Sequence, residues 1–479
     1  MSQKNGLRKD SIRSMDLTGV DGVSGQSADQ NRRFDRGGAL ADAAVPAGFG
    51  TAPEAGKSAL LGVFQLMTII LCGLAILTDG MDFQIIGYVA PAILRDWHIS
   101  PGSLGPVFAS GMIGMVIGAT ALGSLADRVG RRPVLIFALF MFAGCMWLTT
   151  EMHTVAGLLC LRFATGLGLG SVMPNAVALA SEFAPLRKRS AIVTVVSSAF
   201  AIGAVTGGLL AVALLPSHGW HAVFRVGAYV PAVLALAMLA FLPESLQFLT
   251  VRGHEQKMMR IARRLGQYAD GLQAAAPAVD IATERLTVMQ LFENGRTRNT
   301  CLLWGITFLN LLTLLFLSSW LPTILSVKGQ SMRSALLAGV VLQLGGCVGA
   351  LIMASRIERV GFRAVLAPAF LLAAVALVAI GLPGLSLGLV FVAAALSGAT
   401  IVGGQNALNA LAALLYPTHL RATGIGWALG VARTGSVLGP VIGGELIAMH
   451  TAPSTLFLLV ALPAALSAVL VLMLKPVGR

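Results

Sequence analysis

The stretch "GSLADRVGRR" (Gly123–Arg132) returns in the second half of the chain as "ASRIERVGFR" (Ala354–Arg363). Asp127-Arg128-Val129-Gly130 falls on Glu358-Arg359-Val360-Gly361. A second loop keeps the register to within a single position: "FAPLRKRS" carries Pro185 and Arg189, and "LYPTHLRA" carries Pro417 and Arg421. Two separate loops agreeing on one offset indicate an internal repeat. Between the loops the chain is apolar. Runs of 18 or more apolar residues recur from Leu60 to Leu474, each long enough to cross about 30 Å of hydrocarbon. Six such runs fit in each copy. Six is even, so both copies enter the membrane in the same sense. Parallel repeats of this kind place a binding site at their interface near the midplane.

Composition agrees. Of 479 residues, 56% are hydrophobic and 11% charged, against about 25% charged in soluble domains. Length alone suggests about three domains, but the recurring apolar runs make one polytopic bundle. Alternating ten-residue segments, the mark of a membrane β-barrel, are absent. The expected fold class is therefore an all-α polytopic membrane protein. Its twelve spans lie near 60–92, 102–126, 133–150, 155–181, 190–215, 222–243, 299–325, 334–355, 363–382, 385–415, 422–447 and 454–474. The first and tenth exceed a straight crossing, so each is expected to tilt or to end in an extramembrane turn. Five cysteines sit singly in apolar runs, without the spacing of a metal site or a disulfide framework. They read as small packing residues, and no metal or other cofactor is expected.

Lys and Arg sort the loops. Eighteen lie in "DRVGRR", "LRKRS", 244–298, "RIERVGFR" and "THLRAT"; the opposite loops hold Arg95, Lys328 and Arg333, with Arg225 at the start of the sixth span. The positive-inside rule makes the rich side cytoplasmic and puts both termini there. Topology thus explains the net charge of +13, and no nucleic-acid partner is needed. Four segments follow. Residues 1–56 are polar and Gly/Ser-rich and read as a disordered cytoplasmic tail without a signal-peptide core. Residues 57–243 form one six-helix bundle, 244–298 a cytoplasmic central loop, and 299–479 the second bundle. Within the loop, "GHEQKMMRIARRLGQYADG" (Gly253–Gly271) suits a basic amphipathic helix, on the membrane surface or simply solvated.

The first span, "LCGLAILTDGMDFQIIGYVAPAIL" (Leu71–Leu94), holds two acids, Asp79 and Asp82. A charge at such depth costs roughly 2.5–3.5 kcal/mol on insertion scales. Spaced i to i+3, both acids share a helix face, which must look into the bundle or a wet cavity. Close carboxyls in a poorly solvated place cannot easily both ionise, the property of a proton carrier; the plainer alternative is a hydrogen bond within an interrupted helix. Gly80 between them allows a bend or the approach of another helix. Arg162 lies about seven residues into span four and Asp82 about 22 into span one. With the regular rise of an α-helix, both reach the outer half of the membrane, where they can meet as a protonation switch or as a static ion pair. Arg433 lies near the midplane of span eleven. Its planar guanidinium suits a substrate carboxylate, with Glu445 or backbone carbonyls as alternative partners.

Around these charges stand Asn175, Asn310, Gln343, Gln405, Asn406, Asn409, Trp320, Phe316 and Trp427. They suit a hydroxylated ring, although core packing or an interhelical hydrogen bond explains any one of them. Asn406 and Gln343 lead the candidates for substrate, followed by Asn310, Trp427 and Asn175. On the basic side Asp127, Arg128, Arg131, Arg132, Glu182 and Arg189, with Glu358, Arg359 and Arg421 of the second copy, suit a salt-bridge lattice that latches a gate; topology anchoring is the alternative. Gly166, Gly168 and Gly170 lie within a membrane run with no strand before them, so they serve close helix packing and not a dinucleotide.

Gly123-x-x-x-Asp127-Arg128-x-Gly130-Arg131-Arg132 resembles the signature loop of the major facilitator superfamily. "RFATGLGLG" (Arg162–Gly170), "SEFAPLRKRS" (Ser181–Ser190) and "LPES" (Leu242–Ser245) resemble the same superfamily. "DGMD" (Asp79–Asp82) and the long Gly403–Gly444 stretch are similar to its aromatic acid:proton symporter family. The resemblance covers the chain from about residue 57 onward. It implies twelve helices in two six-helix halves and a transporter, not an enzyme. It further implies proton-coupled import of a small aromatic carboxylate, hydroxybenzoate- or benzoate-like, across a bacterial inner membrane. Asp82 aligns with the first-span acid of proton-coupled sugar porters, which favours it over Asp79 as carrier. The expected partners are substrate, proton and lipid bilayer, with the chain a monomer. The alternative is a proton-coupled carrier of a non-aromatic organic acid, sugar or drug. "GAVTGG" (Gly203–Gly208) lacks the Gly-Pro pair of drug/proton antiporters. A membrane-embedded enzyme would need a nucleophile–base or metal cluster, which the sequence does not offer, and a transport-dead sensor would bind ligand without proton coupling.

Overall fold

A computed structural model describes residues 62–265, 288–293, 295–417 and 420–475. The expected tail, and the last six residues of the Gly253–Gly271 segment, lie outside the described residues. The described residues are nearly all helical. In order they form α1 (Val63–Asp96), α2 (Gly105–Val129), α3 (Arg131–Thr149), α4 (Val155–Phe183) and α5 (Arg189–Phe241). Two short helices follow, α6 (Leu246–Val251) and α7 (Glu255–Leu265). The chain continues with α8 (Thr297–Val327), α9 (Met332–Val360), α10 (Phe362–Gly381), α11 (Leu387–Leu415), α12 (Arg421–Ala448) and α13 (Pro453–Met473).

Eleven of these are long and apolar enough to cross a membrane. The 53-residue α5 is about 80 Å long at about 1.5 Å per residue, more than two hydrocarbon thicknesses. It breaks at Gly219, whose φ of 73° lies in the left-handed region, three residues after Pro216. The fifth and sixth spans are therefore two arms of one stretch, which brings the crossings to twelve. The expected loop at 216–221 shrinks to a single left-handed residue, because glycine takes that conformation without a Cβ clash.

The repeat has a visible cause. α2 ends at Gly130 (φ 114°), whose N–H bonds the Ala126 carbonyl at 2.9 Å; α9 ends at Gly361 (φ 84°), whose N–H bonds the Ile357 carbonyl at 2.8 Å. Donor and acceptor alike keep the offset that relates Asp127 to Glu358. Each glycine ends one helix and starts the next, α3 or α10, so the two signature loops turn the chain in the same way. The packing repeats too. α1 lies on the first arm of α5 as α8 lies on α12, and α2 on α4 as α9 on α11. α3 lies on the second arm of α5 as α10 lies on α13.

The halves meet through α1 with α8, α2 with α12, and α5 with α9. Their closest approaches lie toward the face opposite the signature loops. Arg95 donates to Ser326 at 2.6 Å. Gly87 lies against the Ser318 carbonyl, and Gly105 against Val441. Phe108 meets Trp320 edge-to-face at 5.2 Å.

Candidate functional site

Asp79 and Asp82 both point into the bundle, 1% and 2% exposed. α1 stays helical through Gly80, so this glycine serves approach and not a bend. A methyl group there would collide with the Phe200 carbonyl of α5, and one on Gly203 with the Leu77 carbonyl. Tight contact between these two helices fixes the acid-bearing turn.

Arg162 of α4 reaches Asp82 across the first half. Its Nη1 stands 3.2 Å from Oδ1 and 3.4 Å from Oδ2. The Phe224 ring of the second α5 arm lies 5.1 Å from the guanidinium carbon, an added cation–π contact. Arg162 is 4% exposed, and among the described residues its Nε and Nη2 have no partner. Asp79 keeps one oxygen, Oδ1, without a partner. The opposite charge that Asp79 senses is Arg433, across the interface on α12; among the described residues Arg433 forms no ion pair. Glu445, its alternative partner, is exposed beside Gly102. The site thus sets two buried acids along α1, of which Asp82 alone is ion-paired among the described residues. The Asp82–Arg162 pair is closed within the first half, while Asp79 forms no ion pair among the described residues.

A cavity opens beside the closed couple. Asp82 and Arg162 form its polar wall, Phe83, Phe108 and Leu315 are among its apolar walls, and Ser318 and Ser319 of α8 also line it.

The remaining candidates separate. Gln343 donates to Gln84 Oε1 at 3.0 Å, and Gln84 donates to the Ser318 carbonyl at 3.0 Å. This buried chain ties α9, α1 and α8. Asn310 donates to Gln405 at 2.8 Å and to the Ile401 carbonyl at 3.2 Å, and Gln405 passes the chain on to Asn409. Asn175 is buried and donates to the Ser171 carbonyl one turn back. Trp320 is fully buried, with its indole N–H on the Pro440 carbonyl, and Phe316 packs in the same core. Asn406 is exposed. Trp427 stacks on Trp304 at 6.1 Å, away from the acids.

On the signature-loop face Glu182, at the end of α4, pairs with Arg131 and accepts from Ser245 Oγ at 2.9 and 2.8 Å. Glu244 accepts from the Arg132 N–H at 3.1 Å, and Arg132 itself donates to the Leu239 carbonyl at 2.6 Å. Arg252 donates to the Arg128 carbonyl. Asp127, Arg189, Glu358, Arg359 and Arg421 make no ion pair among the described residues. The second copy lacks the parts for a matching cluster. Phe362 stands where the first copy has Arg131, and Leu414 where it has Glu182. Sequence reasoning missed Gln84, Glu244 and Ser245 as members of these networks. Gln84 was signalled by its place in an apolar run, and the other two by the "LPES" stretch.

The family model of the Major Facilitator Superfamily matches residues 72–357 and 303–479. The chain is 37% identical over 421 residues to the 4-hydroxybenzoate transporter PcaK of Pseudomonas aeruginosa, covering 86% of this chain and 93% of that protein. It is 34% identical over 414 residues to the gallate transporter of Pseudomonas putida, covering 86% and 92%. In fold it is similar to a bacterial homolog of the human lysosomal transporter Spinster, with a TM-score of 0.66 at 16% identity over 88% of this chain and 96% of that one. Twelve crossings, the shared turn at Gly130 and Gly361 and these matches lead to one conclusion: the chain belongs to the Major Facilitator Superfamily, a superfamily of membrane transporters and not of enzymes.

Proposed function

We propose that the protein imports a small aromatic carboxylate, hydroxybenzoate- or benzoate-like, together with protons across a bacterial inner membrane. The carrying observation is the pair of buried acids on one face of α1, with Arg162 closed on Asp82. The class of substrate is supported by relatives named for 4-hydroxybenzoate and gallate. Asp82 is the main proton carrier. When it is ionised, Arg162 holds it; when it is protonated, the pair loses its attraction and the arginine is released. Asp79 modulates that exchange or carries a second proton. Arg433 offers a half-buried guanidinium to the substrate carboxylate, in competition with Asp79.

The signature-loop face is cytoplasmic, with both termini on that side, and the chain acts as a monomer. The contacts gathered at the far face then describe a conformer closed to the outside. The Glu182–Arg131–Ser245 cluster holds the inner ends of α3, α4 and α6 as one unit while the halves rock. The test is uptake of labelled 4-hydroxybenzoate into proteoliposomes under an imposed inward proton gradient. Accumulation that disappears when an ionophore collapses the gradient is the expected outcome. Equal uptake with and without the gradient would contradict proton coupling.

A further inference from the structure

The cavity beside Asp82 carries more than the proton switch uses. Arg162 spends only Nη1 on Asp82. Nε and Nη2, which share one edge of the planar guanidinium, are buried without partners. Two parallel N–H groups on one edge match the two oxygens of a carboxylate. Unpaired buried donors are costly and call for a reason.

The second observation lies on α8. Buried hydroxyls in this bundle, such as those of Thr78, Ser110, Thr165, Ser171 and Thr307, bond a carbonyl one turn back in their own helix. Ser318, like Thr323 and Ser397, does not: among the described residues its Oγ is buried without a partner, and of these three only Ser318 lines the cavity. The residue is 5% exposed, and its carbonyl is held by Gln84. Its backbone is therefore fixed while its hydroxyl stays uncommitted. Ser318 and Arg162 line the same cavity, with Phe83, Phe108 and Leu315 among the apolar walls.

We propose that this cavity is a subsite for a hydroxyarene carboxylate. The Nε–Nη2 edge of Arg162 takes the carboxylate, the apolar walls take the ring faces, and Ser318, seconded by Ser319, takes the ring hydroxyl. The inference rests on the reading of the protein as an aromatic-acid carrier. It adds a second anion station, in series with Arg433, and names the residues that tell a hydroxylated ring from a bare one. Asp82 and the substrate then share one guanidinium, so protonation of Asp82 leaves the charge of Arg162 to the substrate.

The test is binding of 4-hydroxybenzoate and of benzoate to the purified full chain, in wild type, Ser318→Ala and the Ser318→Ala/Ser319→Ala double variant. A neutral hydrogen bond contributes roughly a 2- to 10-fold preference. The variants should weaken 4-hydroxybenzoate about 5-fold more than benzoate, and Arg162→Gln should weaken both. Ser319→Ala alone and Ser318→Cys keep the comparison open if Ser318→Ala fails to fold. A wild type that binds both ligands, with the same preference retained in every serine variant, overturns the subsite alone. A wild type that binds neither overturns the functional reading and the subsite with it.

Discussion

Arginine and aspartate meet twice in this bundle, and the two meetings differ in kind. Asp82 is in hydrogen-bonding distance of Arg162, whereas Asp79 senses Arg433 only through space. Arg433 is therefore the more available anion group at the interface. Lysine would keep its charge but lose the planar fork, so Arg433→Lys should weaken substrate binding about tenfold, near the strength of a charged hydrogen bond. Unchanged affinity, read by competition against labelled substrate, would place the anion elsewhere. Gly80 offers a test of packing at the same scale. A methyl group there meets the Phe200 carbonyl, and overpacking of this kind costs about 1–3 kcal/mol. Gly80→Ala should lower the melting temperature of the detergent-solubilised protein, and an unshifted melt would show that α1 and α5 can separate at no cost. Counting rise per residue in the sequence was enough to bring Asp82 and Arg162 to one depth. The same reasoning could not place Asn175, whose amide bonds the turn behind it, or Trp427, which stacks on Trp304. Depth follows from position along one helix, but facing depends on how neighbouring helices rotate and cross.

At the scale of elements, α1 links the acids to both halves of the molecule. It carries both acids, packs along α5 and reaches across to α8 and α9. The Gln343–Gln84–Ser318 chain is the polar part of that crossing. It ties the halves on the side where they are closest, so a transport cycle that opens this side must break it. Gln343→Leu removes the α9 link without changing charge. It should raise hydrogen exchange at the outer ends of α1 and α9 and favour conformers open at that face; unaltered exchange there would remove the chain from the gate. Gln84 sat in plain view just past Asp82, but its partner in the other half of the chain is a product of the fold. The span boundaries were legible because hydropathy reports them directly. The fusion of spans five and six was not. One left-handed glycine replaces the expected loop, and hydropathy does not register a single dihedral angle.

Over the whole molecule, the repeat visible in two loops becomes two helix sets packed by one scheme. Their symmetry is incomplete where chemistry enters. The acids lie only in the first half's α1, and the Glu182 cluster has no counterpart because Phe362 and Leu414 replace its charged members. In the proposed mechanism one half holds the proton site and a braced inner end, while the other contributes Arg433, Ser318 and Ser319. Substrate between them would feel both halves at once, and the proposed mechanism links binding and protonation to rocking in this way. The most direct measurement compares gradient-driven accumulation of labelled 4-hydroxybenzoate in wild type and in the Asp79→Asn/Asp82→Asn double variant, with counterflow exchange as the control for folded, substrate-binding protein. The account predicts that the double variant still exchanges substrate but no longer concentrates it at any external pH. Concentrative uptake with its pH dependence intact in that variant would contradict it.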